Sequence, residues 1–155
     1  MEKKIKLLIT LLILMSLVVL SQFFPKSKNN NEEYKNRAIT IADTQLHVYV
    51  ADTDQKKARG LAAFDSIEDD QGMIFEFEDM GIQTFWMKDM KFAIDIIWVR
   101  DNKIIAIDKN IQSEQSKSDD EIIRYKSSED VDTVIETNAG WCDKHNIIIG
   151  QIIER

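Results

Sequence analysis

Apolar and polar positions fall into three regimes along the chain. Residues 7–24, LLITLLILMSLVVLSQFF, carry no charge and leave no polar face. As a helix rising about 1.5 Å per residue, this run covers roughly 27 Å, close to the hydrocarbon thickness of a bilayer. Residues 26–37, KSKNNNEEYKNR, are polar and without period, which predicts a flexible tether with an end-to-end distance of roughly 20 Å. From Ala38 onward the apolar residues alternate in short runs separated by turn formers, the pattern of a β-rich domain.

Within that domain, AITIADTQLHVYVA predicts a hairpin turning at Asp43-Thr44, with Leu46, Val48 and Val50 on one face. Thr53 or Asp54 caps a helix that places Ala58, Leu61 and Ala62 together and is interrupted by Gly60. GMIFEFED reads as a half-buried strand with Met73, Phe75 and Phe77 inward. Strands follow over 82–88, 94–100 and 103–108, the last two joined by a tight turn at Asp101-Asn102. Residues 110–121 are aperiodic and acidic, hence a solvated loop. VDTVIETNAG is again a strand, Asn138 caps a short helix reaching about Asn146, and IIIGQIIE closes as a strand broken at Gly150. The expected fold is therefore mainly β: one domain over 38–155, a β-sandwich or partly closed barrel with two short helices. A transmembrane or signal helix within residues 1–25 precedes it.

Charge changes the picture in two ways. The net charge is -7, and because Lys3, Lys4 and Lys6 precede the apolar run, the rest is more acidic still. An acidic body lacks the clustered basic field that phosphate backbones require, so nucleic acid is not an expected partner. The basic start favours a single-pass anchor with its N-terminus in the cytoplasm and the domain outside, the membrane being contacted through residues 7–24. Secretion after signal cleavage is the alternative, since Val19 and Ser21 are tolerable before a cut at Gln22. The single cysteine excludes an internal disulfide and gives no paired metal-binding spacing. No cofactor is implied.

One residue breaks the pattern. Residues 92–99, FAIDIIWV, are apolar on both alternating faces, yet carry Asp95 at the centre. A buried carboxylate needs donors. Arg59 on the early helix is the expected partner, through two parallel hydrogen bonds, with Lys88 next. Such a pair either locks helix to sheet or forms, with Trp86, the floor of a small pocket for a polar ligand. Cys142 and His145 stand three apart on the last helix, but nothing supplies a third group to orient them. The acidic runs Glu68-Asp69-Asp70 and Asp119-Asp120-Glu121 lack the ligand spacing of a calcium loop and read as solvated faces.

Five ordered blocks carry a resemblance: Arg59-Gly60-Leu61; Gly72-Met73-Ile74-Phe75-Glu76-Phe77; Phe85-Trp86-Met87-Lys88-Asp89-Met90; Phe92-Ala93-Ile94-Asp95-Ile96-Ile97-Trp98; and Glu136-Thr137-Asn138-Ala139-Gly140, followed by Gly150-Gln151. Over residues 40–154 the chain resembles the family known as domain of unknown function 192, which is uncharacterised. It departs from the family's Lys-Asn-Thr at Lys88-Asp89-Met90, from its proline at Ala93, from its Gly-Asp at Gly150-Gln151, and from its Cys-Pro-x-Tyr at Ile123-Arg124-Tyr125-Lys126. The resemblance implies a compact β-rich fold, commonly at the cell envelope, and no reaction. The functional expectation is an extracytoplasmic, membrane-tethered binding or interaction module for a small polar ligand or envelope partner, with Arg59, Trp86, Lys88 and Asp95 as its ligand-binding residues. A hydrolase using Asp95 with Arg59 or Lys88, and a structural envelope scaffold, are the competing classes.

Overall fold

The computed structural model describes residues 33–114 and 117–155. The expected transmembrane or signal helix lies outside them, and among the described residues no helix is long and apolar enough to cross a membrane. The compact unit begins at Tyr34, so it takes in the end of the segment read as tether. The Tyr34 ring packs at 6.1 Å from that of Tyr49 and 5.4 Å from that of Phe64.

Among the described residues nine strands, β1 to β9, form in chain order: Asn36–Ile41, Thr44–Val50, Gln71–Gly81, Thr84–Trp86, Ile94–Arg100, Lys103–Ile111, Arg124–Lys126, Val131–Asn138 and Ile153–Glu154. Two α-helices of the described residues accompany them, α1 (Asp54–Arg59) and α2 (Trp141–Lys144). A 3-10 turn, Gly60–Ala63, follows α1 directly. Seven strands make one sheet in the order β6-β5-β8-β3-β2-β1-β9, and β4 and β7 make a separate two-stranded ribbon. Of the two architectures expected from the sequence, the sheet takes the curled one. Residues 150–153 bond to both sides: Gly150 N–H donates to Ile104 O at 2.8 Å and Ile153 N–H to Asn102 O at 2.8 Å, while Ala42 N–H donates to Ile152 O at 3.2 Å. A sandwich would need a second sheet of comparable size, and the ribbon has only three residues per strand.

Local chemistry accounts for most element ends. The β5–β6 hairpin turns at Asp101-Asn102 as expected, the two residues taking φ of 50° and 62°, as a two-residue turn matched to strand twist requires; the β1–β2 hairpin turns at Ala42-Asp43, one residue before the expected Asp43-Thr44, with Ala42 at φ of 53°. Thr53 caps α1, its side chain accepting from the Lys56 N–H at 3.2 Å.

Both faces of the central strands are covered, which explains their continuous apolarity. The inner face carries Ile39, Leu46, Val48, Ile74, Ile97, Val99 and Ile135, closed by Trp141 and Cys142 of α2. On the outer face, Met73, Phe75, Ile96, Trp98 and Val134 pack under Leu61 and Ala62 of the 3-10 turn, with Phe85 of the ribbon against them. Phe85 stands edge-on to Phe75 at 4.8 Å and to Trp98 at 5.6 Å. Ile74, which alternation with inward Met73 and Phe75 would turn outward, is therefore as buried as both.

Three expectations are corrected. The second helix starts at Trp141 behind a Gly140 N-cap with φ of 82°, not at an Asn138 cap, because β8 runs on through Asn138. The closing strand is only Ile153–Glu154, since residues 148–151 turn around Gly150. Strand β7 arises where no strand was expected, paired with β4 through Thr84–Lys126, Phe85–Tyr125 and Trp86–Arg124.

Candidate functional site

Asp95 sits at the centre of β5, fully buried, and Arg59 is not its partner. Alternation along β5 sends Ile94, Ile96 and Trp98 to the outer face and Asp95, Ile97 and Val99 to the inner one. Helix α1 leads into the turn covering the outer face, so Arg59 and Asp95 belong to opposite sides of the sheet. Asp95 is held instead by backbone N–H groups: Oδ1 accepts from Asn110 at 2.8 Å and Gly140 at 3.1 Å, and Oδ2 accepts from Cys142 at 3.0 Å. The register of β5 against β6 slips between Ile94 and Ile96, a bulge that leaves the Asn110 N–H for a side chain to take. Gly140 has no side chain to cap α2, and Asp95 reaches across to serve those first amides.

This arrangement also settles the cysteine. Cys142 is fully buried, and burial, then the nearby Asp95 carboxylate, pushes its thiol far above the usual range. The His145 ring rests on Trp141 at a centroid distance of 4.8 Å. A thiol so disfavoured as thiolate is no nucleophile. The acidic runs are engaged at the surface: Asp69 with Lys144, Asp70 with His47, Asp119 with Lys88, and Glu121 with the Ser118 hydroxyl. Among the described residues no group of three or more His, Cys, Asp or Glu is placed to hold a metal.

Arg59, Trp86 and Lys88 do come together, around a cavity of about 260 Å³ on the outer face. Its floor is sheet, with Phe75 and Phe77 from β3 and Glu136 from β8; one wall is Lys57 to Leu61, the other Gln83 to Trp86 of the ribbon. Trp86 is 37% exposed whereas Met87 is fully buried, so alternation places the indole at the mouth and the thioether in the core. The Lys88 ammonium and the Arg124 guanidinium each lie 5.4 Å from the Trp86 ring. Lys88 also pairs with Asp119 at 2.5 Å, and Lys57 donates to Glu76 O at 2.7 Å.

The carboxyl group of this cavity is Glu136. It is 4% exposed, and Oε2 accepts from the Leu61 N–H at 3.2 Å. Burial raises its pKa from the ordinary 4.5 to about 7, with only the Leu61 N–H pulling the other way. Gly60 makes that approach possible: its φ is 54°, and a Cβ there would come within 3.2 Å of Oε2. The signal for Glu136 was present in the sequence. VDTVIETN predicts a strand with Val134 and Glu136 on one face, and both strand neighbours, β3 and β5, are apolar on that face.

The chain is a β-rich domain of the kind built on a curled sheet with a cavity between helix and ribbon. It belongs to the family domain of unknown function 192, described as an uncharacterised ACR, whose model matches residues 37–155. No curated protein matches the chain. Two crystal structures share its fold. One, of a proposed transcription regulator from Sinorhizobium meliloti, aligns with a TM-score of 0.70 at 23% identity, over 78% of this chain and 94% of that one. The other, of a protein of unknown function from Novosphingobium aromaticivorans, gives 0.69 at 21% identity, over 84% of this chain and 100% of that one.

Proposed function

We propose that the domain is a binding module for a small polar ligand, seated in the cavity between α1 and the ribbon. The observation that carries this reading is the meeting of an exposed indole, cationic side chains and one buried carboxyl group around a single concave site. Apolar walls with a few convergent polar groups are what orient a small ligand. Membrane tethering through residues 7–24, with the domain outside the cytoplasm, is part of the proposal and is supported by the uncharged length of that run. The regulator description belongs to the Sinorhizobium protein; the acidic balance of this chain argues against a nucleic-acid surface here.

A second reading has one specific observation in its favour. A buried carboxyl with a pKa of about 7 in a cleft is suited to acid–base chemistry, and Glu136 is such a group. Asp95 lines neither this cavity nor its neighbour, so the acid–base reading is carried by Glu136 and not by Asp95 with Arg59 or Lys88.

Thermal shift and tryptophan fluorescence of the full chain against sugars, amino acids, short peptides and small organic acids test the binding reading. A saturable response lost in Trp86→Ala supports it. A panel in which no compound stabilises the protein overturns it. Protease accessibility of the domain in intact cells tests the location: digestion from outside is expected, and full protection would refute it.

A further inference from the structure

Beyond Arg59 and Lys88 a second concavity of about 310 Å³ opens, lined by Ala58, Arg59, Ala62, Lys88, Asp89 and Lys91. It shares Ala58, Arg59 and Lys88 with the Trp86 cavity, so the two cations stand on the ridge between adjoining hollows. The characters of the two differ. The first is walled by Phe75, Phe77, Phe85 and Trp86 over Glu136; three of the four charged residues of the second are cations.

Those cations are available. Lys88 and Lys91 pair with Asp119 and Asp65, carboxylates that are 63% and 92% exposed, and exposed pairs exchange partners at little cost. The Arg59 side chain is exposed and has neither a hydrogen bond nor an ion pair with any described residue. A guanidinium is the side chain best matched to a carboxylate or phosphate, through two parallel N–H bonds. In the first hollow, the Thr84 hydroxyl, the Gln83 amide and the Glu136 carboxyl supply donors and acceptors between aromatic walls. Hydroxyl groups on an otherwise carbon ring meet that mixture well.

We propose that the two hollows form one bipartite site for a monosaccharide-sized hydroxylated ring bearing an anionic group, the ring lying in the Trp86–Glu136 hollow and the carboxylate or phosphate between Arg59, Lys88 and Lys91. This rests on the Trp86 cavity being a binding site, and it adds the ligand's charge and shape. It also gives the Arg59 guanidinium a role that its lack of a partner among the described residues leaves open.

Isothermal titration of the full chain with glucuronate, glucose 6-phosphate, glucose, acetate and inorganic phosphate is the test. The acidic sugars are expected to bind roughly ten-fold or more tightly than glucose, and than acetate or phosphate alone. Arg59→Gln should reduce that advantage over glucose to about two-fold, while Trp86→Ala weakens every sugar. Carboxylate and phosphate sugars differ only in the anion, so their ratio identifies the group the second hollow takes. Equal binding of glucose and the acidic sugars would overturn the inference and leave the binding module standing. Equal binding of the simple anions and the acidic sugars would also overturn it, by removing the ring. If none of the five binds while another compound of the broader panel does, the bipartite site falls alone; if nothing binds, both readings fall together.

Discussion

Asp95 shows how one residue can be read correctly for its environment and wrongly for its partner. Its burial follows from the apolar residues on both sides of it in sequence, but three of the bonds that satisfy it come from main-chain N–H groups, and a sequence does not display where those amides point. Asp95→Ala is expected to destabilise the domain by about 3 kcal/mol or more, because it leaves buried donors without acceptors. Arg59→Met should change stability by no more than about 0.5 kcal/mol, as an exposed side chain with no partner among the described residues. Urea unfolding of the two variants checks both values, and a large loss on Arg59→Met would restore the helix-to-sheet pair. Glu136 makes a different prediction. Its proton is held up to about pH 7 in the folded chain but released near 4.5 on unfolding, so the folded state binds more protons between these values. Stability from this group is full below about pH 4.5, falls as pH rises through the window, and is lower by about 3 kcal/mol above 7. Within the cavity only Lys57 and Arg59 from α1 and Lys88 beyond the ribbon are also titratable. Asp52, held at about 2 by its Lys56 and Lys35 partners, acts in the opposite sense and below the window. Glu136→Gln keeps an acceptor for the Leu61 N–H and should flatten the slope between pH 4.5 and 7; a wild-type midpoint that does not move over that range would refute the shift.

At the scale of elements, legibility followed how local the determinants were. The β1–β2 and β5–β6 hairpins and the Thr53 cap depend on neighbouring residues, and they form at the expected place, or in β1–β2 one residue before it. The β4–β7 ribbon depends on residues some forty positions apart, tied further by the Ser127 N–H to Gln83 O and the Gln83 N–H to the Ser127 hydroxyl, both at 3.0 Å. No short window of sequence contains that pairing. The same holds for the cavity: Arg59, Trp86 and Lys88 were singled out for chemistry and do share it, but Glu136 entered only as part of a motif because its facing residues, Gly60 and Leu61, come from the 3-10 turn after α1. Gly60 joins the two levels. It ends α1, donating its N–H to Lys56 O, and its φ of 54° lets Leu61 meet Glu136. Gly60→Ala should therefore cost about 1–3 kcal/mol from backbone strain and crowding of Oε2, a loss visible in the denaturation midpoint and accompanied by weaker ligand binding at the Trp86 cavity. An alanine tolerated without loss would show that neither constraint is tight.

Over the whole domain the two edges of the sheet are a liability, because strands without neighbours offer unpaired N–H and C=O groups to other chains. The last residues remove it. Thr40 pairs with Glu154 and Ile41 with Ile153 on the β1 side, and on the β6 side the Ile104 N–H donates to Gln151 O at 2.9 Å. A chain reading IIIGQIIE suggests one strand, yet Gly150 takes φ of 96° and the turn around it lets so short a segment serve both edges. Ile153 is only 2% exposed and contributes to the inner core, so the seam has packing as well as hydrogen bonds. Ile153→Ala is expected to cost about 2–4 kcal/mol, the usual range for a buried isoleucine. Removal of residues 150–155 should cost more, since it frees β1 and β6 together and deletes the Arg155 contacts with Glu76 and Asp132. Hydrogen exchange separates closure from general destabilisation: the amides of Ala42 and Ile104 should exchange much faster in the truncated chain, whereas those of β3 and β8, in the middle of the sheet, keep the rate set by global unfolding. Uniform acceleration across all strands would mean that the seam is only one more part of the core, and that the sheet holds its curl without being closed.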